Sequence, residues 1–274
     1  MITKINSSEN KKYKKWQKLL KRKYRESEKS YIIEGYKLIE EALINGKNIV
    51  EIMVDEENAS RVLEEITPLL GERKIPIYML GSGLFKKITQ LEHSTGVMAV
   101  TAMDMFTEDE FCKLFEGKRG VTGNLIVLDR LQDPGNIGTI IRTADGAGFG
   151  GIIAVKGTAD IFSPKVVRSA AGSIFRMPIF FVEDNAHLIR IIERLQKKLV
   201  VTCFETDFYH FDAPLSKDAA IVIGNEGAGV SKELIDLAET KVKIPMSGNI
   251  DSLNASVAAG ILMYEAVRQA SAEE

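Results

Sequence analysis

The sequence predicts an α/β protein in two parts, a C-terminal domain built on a parallel sheet and a smaller α/β domain before it. In the C-terminal half, near-continuous apolar runs alternate with helical patterns, which is typical of parallel strands covered on both faces. A length of 274 residues favours two domains, at about 100–200 residues per domain. Apolar residues make up 45% of the chain and charged residues 27%, the composition of a folded globular protein.

The first 30 residues form a strongly basic segment. They contain eleven Lys or Arg against three Glu, a local charge of +8 in a chain whose net charge is -2. Aromatic and aliphatic residues recur through it at helical spacing: Tyr13, Trp16, Leu20 and Tyr24. We therefore expect residues 1–30 to be a basic helical extension that packs this face and presents cations to the phosphates of RNA or DNA. An ordinary solvated helix is the alternative. The candidate RNA-binding residues are Lys11, Lys12, Lys15, Lys18 and Arg22.

Residues 31–105 are predicted to form the smaller α/β domain, and residues 106–122 a linker. Short apolar runs predict strands at Ile49–Val54, Ile75–Leu80 and Gly96–Val100. Helical periodicity predicts helices at Glu34–Asn45 and Glu57–Leu70. The stretch from Thr101 to Asn124 mixes charges and glycines around one amphipathic patch, which is why the linker is placed there.

Residues 123–274 are predicted to form the parallel-sheet domain. The predicted strands are Leu125–Asp129, Ile152–Val155, Pro178–Val182, Leu199–Phe204, Ala220–Ile223 and Lys241–Pro245. The predicted helices are Ile137–Ala147, Lys165–Ser173, Ala186–Lys198, Lys232–Ala238 and Leu253–Ala270. This alternation of strand and helix is the pattern of a doubly covered sheet.

Cysteine, histidine and apolar-run counts argue against several classes of protein. Cys112 and Cys203 are too few for a disulfide framework, so we expect reduced thiols in a cytoplasmic protein. His93, His187 and His210 are scattered, so no metal centre is expected. No apolar run approaches the roughly 18 residues of a membrane span, and the N-terminus is polar. Secreted, membrane-embedded and metal-dependent proteins are therefore disfavoured.

Three loops rich in Gly, Asn and Ser follow predicted strands. They cover residues 129–138, residues 224–229, and residues 244–249 with 252–256. In an open parallel sheet, ligands bind at the carboxyl edge of the strands, where these loops lie. Each loop alone is also explained by ordinary turn chemistry. Together they supply the candidate side chains Asn136, Arg142, Glu226, Ser252 and Asn254.

Read together, the three loops resemble motifs 1, 2 and 3 of the SpoU family of RNA ribose 2'-O-methyltransferases, within the SPOUT superfamily. The matching stretches are DPGNIGTIIRTA at 133–144, IGNEGAGV at 223–230, and IPM followed by SLNASVA within 244–258. The resemblance covers roughly residues 120–270. Residues 31–37 and 96–99 also resemble the substrate-binding domain that often accompanies this family. The resemblance implies a SPOUT sheet whose C-terminal part is tied in a deep trefoil knot, a rare feature that periodicity alone does not predict.

The resemblance also implies a cofactor and an oligomeric state. S-adenosylmethionine would be held in the knot by main-chain contacts at Gly224, Ile244 and Leu253. The family is typically homodimeric through its knot helices, and a neighbouring subunit completes each active site. The expected partners are thus RNA and a second copy of the chain, with no membrane and no metal.

The resemblance assigns the central catalytic role to Arg142. A guanidinium is effectively always protonated, so Arg142 either activates the ribose hydroxyl electrostatically or is transiently deprotonated near the sulfonium, and the sequence leaves both open. Asn136 and Asn254 can orient Arg142 or the ribose through their amides, and Ser252 can add a hydroxyl. Glu226 is expected to hold a partner arginine or a substrate hydroxyl.

The expected function is therefore 2'-O-methylation of a ribose in structured RNA, with 23S ribosomal RNA favoured over transfer RNA. A non-catalytic RNA-binding protein on the same scaffold is an alternative. A Rossmann-type nucleotide enzyme is a weaker one. The only G-x-G-x-x-G match, at residues 146–151, precedes a strand instead of following one.

Overall fold

The computed structural model describes residues 2–118, 120–203, 205–250 and 252–273. The chain divides into two compact units. One consists of Met1–Met103 and Phe162–Phe175, and the other of Asp104–Ile161 and Arg176–Glu274. The segment 1–30, predicted as an extension, belongs to the first unit, and so does the short stretch 162–175 from the middle of the predicted methyltransferase domain.

Strands and helices alternate along most of the chain. The strands are β1 (Ile2–Ile5), β2 (Ser30–Glu34), β3 (Ile49–Asp55), β4 (Ile77–Leu80), β5 (Val97–Ala102), β6 (Leu125–Asp129), β7 (Gly151–Val155), β8 (Ile179–Val182), β9 (Lys198–Thr202), β10 (Ala219–Gly224) and β11 (Thr240–Val242). The helices are α1 (Lys11–Leu19), α2 (Arg22–Glu28), α3 (Tyr36–Ile44), α4 (Ala59–Leu70), α5 (Ser82–Phe85), α6 (Glu108–Lys113), α7 (Pro134–Gly146), α8 (Pro164–Ser169), α9 (Asn185–Arg194), α10 (Lys232–Leu237) and α11 (Ala255–Glu273). Short 3-10 turns occupy Glu56–Asn58, Gly120–Gly123 and Ser173–Phe175.

The first unit contains a mixed five-stranded sheet in the order β1-β4-β3-β5-β2. β1, β4 and β3 run parallel, whereas β5 is antiparallel to both β3 and β2. Strands β1 and β2 were not predicted from the sequence. β1 is a four-residue edge strand, and the sequence pattern placed a helix start at Glu34, where β2 ends.

The basic segment folds as two helices where a single helix was expected. α1 ends at Leu19, and Lys21 takes an extended backbone conformation before α2 begins. Tyr13, Trp16 and Leu19 are fully buried in the core of the first unit. Trp16 also donates its indole N–H to the Glu51 carboxylate at 2.7 Å. The segment is therefore built into this unit by its apolar face.

The second unit contains a six-stranded sheet in the order β11-β9-β10-β6-β7-β8, and all its strand pairs are parallel. Gly224, the last residue of β10, pairs with Asp129, the last residue of β6. The loops that follow these two central strands therefore leave the sheet side by side. β11 pairs with β9 at the edge, which brings the third loop to the same end of the sheet.

The stretch predicted as a linker contains a capped helix, α6. Thr107 and Glu110 form a reciprocal capping box at its start, the arrangement that satisfies two otherwise free N–H groups. Phe111 is fully buried and stacks on Phe180 at 5.1 Å between ring centroids. α6 thus contributes to the core of the second unit, because its apolar patch covers the sheet.

Helix α11 closes the second unit by packing against α7 and β10. Asn254 caps it, since its side-chain oxygen accepts from the backbone N–H of Ser256 at 2.9 Å. Within the described ranges, no helix combines the length and the apolarity needed to cross a bilayer.

Candidate functional site

The first loop begins at the end of β6 with a buried carboxylate. Asp129 is fully buried, pairs with the Arg130 guanidinium at 2.8 Å and accepts from the backbone N–H of Ser231 at 2.7 Å. Arg130 has a φ of 60°, a left-handed conformation that non-glycine residues seldom adopt. The chain therefore turns sharply at Arg130, directly after β6 ends.

Asp133 and Pro134 start α7 in a defined position. The Asp133 carboxylate accepts from the N–H groups of Gly135 at 2.6 Å and Asn136 at 3.0 Å, and Pro134 occupies the first helical turn, where its missing N–H costs nothing. Asp133 is not among the site residues predicted from the sequence, although an Asp-Pro pair before a helix is a recognisable helix start. Asn136 is held in the first turn of α7 as a result.

Glu226, from the second loop, binds the first loop through both of its carboxylate oxygens. Oε2 accepts from the backbone N–H of Gln132, and Oε1 from the backbone N–H of Asp133 and the side-chain amide of Asn136, each at 3.0 Å. Partial burial by itself raises the pKa of Glu226, but these hydrogen bonds together outweigh it and leave the pKa lowered. The carboxylate is therefore ionised at neutral pH and serves as an acceptor.

Asn136 links the other two loops. It is 8% exposed, donates its amide N–H to Glu226 and accepts the side-chain N–H of Asn254 at 2.9 Å. Asn254, Asn136 and Glu226 thus form one continuous hydrogen-bonded chain that crosses all three loops. The roles expected for the two asparagines require this proximity, because an amide orients a neighbouring group only over hydrogen-bond distance.

The second loop folds back on itself immediately after β10. Asn225 and Gly229 exchange two backbone hydrogen bonds, at 3.0 and 2.8 Å. A side chain at Gly224 would place its Cβ 2.2 Å from the backbone nitrogen of Val230 and 2.3 Å from the carbonyl carbon of Gly229. Only glycine permits so close an approach of main chain to main chain.

A cavity of about 450 Å³ lies behind the second and third loops. Gly224, Ile244 and Leu253, predicted to hold the cofactor, all line it, and so does Ser252. Its volume falls within the roughly 300–1,000 Å³ of small-molecule pockets. The wall combines apolar side chains with main-chain groups from the loops, which suits a flat heterocycle together with a few polar substituents.

A shallow polar notch lies beside the cavity. Gln132, Asp133, Asn136, Glu226 and Asn254 line the notch, and the last two also line the cavity. A molecule bound in the cavity and a second molecule bound in the notch would therefore be in contact across Glu226 and Asn254.

Two predicted catalytic residues do not line the notch: Ser252 lines the cavity instead, and Arg142 lines neither. Arg142 is exposed on α7. Its guanidinium makes no hydrogen bond or ion pair with the described part of the chain. The residue spacing explains this separation. Arg142 follows Asn136 by six residues, which is a rotation of about 600° around the helix axis, so the two side chains lie on different faces of α7.

The predicted RNA-binding cations fall into two groups. Lys12 pairs with buried Glu51 at 2.6 Å, Lys15 with Glu28 at 2.8 Å, and Arg22 with Glu26 at 2.7 Å. These three balance carboxylates of the first unit. Lys11 and Lys18 form no ion pair among the described residues, although the Lys18 ammonium lies 5.5 Å from the Tyr24 ring.

Fold and site together define an α/β domain with a cavity large enough for a nucleoside at the carboxyl edge of a parallel sheet and a polar notch beside it. Residues 123–264 match the model of the SpoU rRNA Methylase family, and residues 10–99 match that of the MRM3-like substrate binding domain. The chain belongs to the SpoU rRNA methylase family.

Curated relatives and solved structures agree with this family. The chain is 34% identical over 263 residues to the 23S rRNA (guanosine(2553)-2'-O)-methyltransferase RlmP of Bacillus subtilis (strain 168), covering 95% of this chain and 97% of RlmP. It is 30% identical to an AdoMet-bound rRNA methyltransferase from Sinorhizobium meliloti, with a TM-score of 0.83 and 98% of each chain covered. It is also 30% identical to the SpoU methyltransferase AviRb of Streptomyces viridochromogenes in complex with AdoMet, with a TM-score of 0.85, covering 95% of this chain and 98% of AviRb.

Proposed function

We propose that this protein is an S-adenosylmethionine-dependent RNA 2'-O-ribose methyltransferase that acts on 23S ribosomal RNA in the cytoplasm. The observation that carries the proposal is the sharing of Glu226 and Asn254 by the cavity and the polar notch, because it brings a bound cofactor next to a bound nucleotide. The name of the relative RlmP favours a 23S substrate, and its similarity extends over nearly the whole chain.

The cavity fits S-adenosylmethionine by size and by chemistry. Apolar side chains such as Ile244 and Leu253 suit the adenine ring, and the main chain at Gly224 lies directly on the cavity wall. Glu226 adds a carboxylate, which favours the positive charge of a sulfonium. When bound, S-adenosylmethionine supplies a methyl group that is already activated toward nucleophiles.

The residues of the notch prepare the nucleophile. A ribose hydroxyl is a weak nucleophile until its proton leaves or its negative charge is stabilised. Asn136 is fixed between Glu226 and Asn254, so these three side chains hold the sugar in one orientation. Arg142 then stabilises the developing alkoxide electrostatically, while the proton passes to water or to a neighbouring RNA phosphate. A permanently protonated guanidinium is suited to this role and not to that of a base.

We further propose that Arg142 reaches the notch of a second copy of the chain in a homodimer. Two observations support this: Arg142 is exposed on α7, and it does not line the cavity of its own chain. Exposed apolar side chains on α11, which packs against α7, give the second copy a surface to cover. They are Val257 and Tyr264.

We also propose that the C-terminal part of the second unit is tied in a deep trefoil knot. The strand order supports it: β10 lies between β9 and β6, β11 is at the far edge, and α11 then returns to pack on α7. An experimentally determined structure tests the knot. A backbone trace that becomes a straight line when its two ends are pulled apart would contradict it.

The test of the function is methyl transfer together with cofactor binding. Arg142→Ala is expected to abolish transfer from labelled S-adenosylmethionine to rRNA, while calorimetry gives a cofactor Kd within a few-fold of the wild type. Loss of cofactor binding would instead make Arg142 a structural residue. Mapping ribose methylation across total RNA, from cells with and without the protein, separates a ribosomal from a transfer RNA target. A map without any change would favour the non-catalytic alternative.

A further inference from the structure

A segment of the second unit that follows β9 exposes three aromatic side chains. Phe208 is 64% exposed, Tyr209 37% and Phe211 46%. Large aromatic side chains left in contact with water are typical of binding surfaces, since burying each one on a partner is favourable. We call Phe208, Tyr209 and Phe211 the aromatic platform.

The aromatic platform is held in a fixed position by main-chain hydrogen bonds. Lys243 donates its backbone N–H to the carbonyl of Phe208 and accepts from the N–H of His210, both at 3.0 Å. The rings of Tyr209 and Phe211 stack at 5.3 Å between centroids, with 24° between their planes. The exposed rings therefore belong to an ordered surface whose geometry is set before anything binds.

The aromatic platform adjoins the cavity through Lys243. This residue lines the cavity, and its ammonium lies 5.4 Å from the centre of the Tyr209 ring. Thr202, the last residue of β9, and Cys203 also line the cavity. The aromatic platform therefore borders, through Lys243, the same cavity that the notch adjoins through Glu226 and Asn254.

Charge indicates which part of an RNA fits there. In the sequence, the exposed Asp207 and Asp212 flank the aromatic platform, and with the single Lys243 ammonium they leave it a net negative charge, which disfavours a phosphate. The flat face of a nucleobase is uncharged, and stacking on aromatic side chains is the usual way in which proteins bind unpaired bases. A symmetric contact between two copies at this surface would instead bring the same carboxylates together.

We propose that the aromatic platform stacks an unpaired nucleobase of the substrate RNA that flanks the methylated nucleotide. This proposal rests on the proposed function, since it assigns a further contact to the same RNA. Its chemical requirement is a base splayed out of a helix, so the substrate must present a loop, a bulge or an end at the target.

The test uses the full-length double variant Phe208→Ala/Phe211→Ala. We expect the KM for 23S rRNA from cells lacking the protein to rise about 10- to 100-fold, the range for loss of a stacked base, with kcat within about twofold. Sedimentation should give the wild-type mass, and calorimetry the wild-type Kd for S-adenosylmethionine. The conservative variant Phe208→Tyr/Phe211→Tyr should keep the wild-type KM, because tyrosine also stacks. Leu237→Ala is the matched control. It removes another exposed apolar side chain, 54% exposed on α10, and should leave the KM at the wild-type value.

Three results would overturn the proposal. An unchanged KM in the alanine variant would show that the aromatic platform does not contact RNA. A changed mass would show that the platform is an interface between protein chains. Lost cofactor binding would show that the platform is part of the cavity wall. Failure of the proposed function is a separate result, in which the wild type methylates no RNA. In that case, stacking on the aromatic platform is measured separately, by adding the protein to single-stranded RNA that contains 2-aminopurine and recording its fluorescence. Stacking requires that the wild type quench this fluorescence more than the alanine variant does.

Discussion

At the scale of single residues, Glu226 shows how an acid can organise a site without exchanging protons. Its two oxygens accept three hydrogen bonds from the first loop. In Glu226→Gln, one oxygen becomes an NH₂ group that faces a donor, so at least one hydrogen bond is lost. We expect a loss of about 1 kcal/mol in the free energy of unfolding, the usual net value of a hydrogen bond, and a large loss of methyl transfer. Urea unfolding and a transfer assay measure the two effects.

The pH dependence of Glu226 provides a second readout of the same contacts. Its pKa in the folded protein is lowered, so the stabilisation is fully present above the unfolded value of about 4.3 and is lost as pH falls through the folded value. The stability difference between wild type and Glu226→Gln should therefore shrink in acid. A difference that is constant down to low pH would contradict the contacts.

Gly224 tests the close packing of the second loop. A Cβ there would lie 2.2 Å from the Val230 backbone nitrogen, so Gly224→Ala must displace the loop that forms the cavity wall. We expect cofactor binding by calorimetry to be lost or weakened more than 100-fold. Gly227→Ala in the same loop is the matched control, because its Cβ would come no nearer than 3.7 Å to the Asn225 side chain. Equal effects of the two substitutions would refute the packing argument.

At the scale of elements, helix α1 carries two kinds of basic side chain: those that pair with carboxylates of the fold and those that form no ion pair and can contact RNA. Lys11 and Lys18 form no ion pair in the described chain. In the variant Lys11→Gln/Lys18→Gln, the slope of log K for RNA binding against log salt concentration should therefore become shallower by about 1–2. This estimate takes about 0.7–0.9 for each lost phosphate contact. Lys15 already pairs with Glu28, so Lys15→Gln should leave the slope nearly unchanged. Filter binding between 50 and 300 mM salt measures both. Equal slopes for wild type and double variant would exclude α1 from the RNA contact.

The sequence predicted elements well where the pattern was local and long. The parallel strands of the second unit lie close to the predicted apolar runs, and helices α7 and α11 begin and end within three residues of the predicted bounds. The break between α1 and α2 was missed because the basic residues on both sides of Leu20 favour helix equally. Helix α6 was missed because its apolar patch spans barely two turns, and only the sheet that it covers makes it stable.

The candidate site was predictable as a set of residues but not as a set of contacts. Asn136, Glu226 and Asn254 stand out in the sequence by motif, yet Gln132 and Glu226 are 94 residues apart. Their contact depends on the pairing of β6 with β10, in which Asp129 lies opposite Gly224. Strand order and register are properties of the assembled sheet, and local periodicity carries neither of them.

At the scale of the whole molecule, the two units are not simple consecutive pieces of chain. Residues 162–175 group with the first unit, where Val166 and Val167 are buried and the Phe162 ring packs on Tyr31 at 4.9 Å. A fragment cut at the end of the first unit would therefore expose these side chains. Full-length protein is for this reason the appropriate material for every experiment proposed above.

The proposed dimer makes a prediction that no single chain can satisfy. Arg142→Ala keeps an intact cavity but lacks the arginine, whereas Gly224→Ala keeps the arginine but loses the cavity. If Arg142 serves the partner's notch, each mixed dimer has one complete site of two. Coexpressed variants that pair at random should then show about a quarter of wild-type methyl transfer, although each variant alone is inactive. If Arg142 acts in its own chain, no site in a mixed dimer is complete, and the mixture remains inactive. Sedimentation of the coexpressed protein is the control, because a monomeric mass would show that no dimer forms and would contradict the proposal.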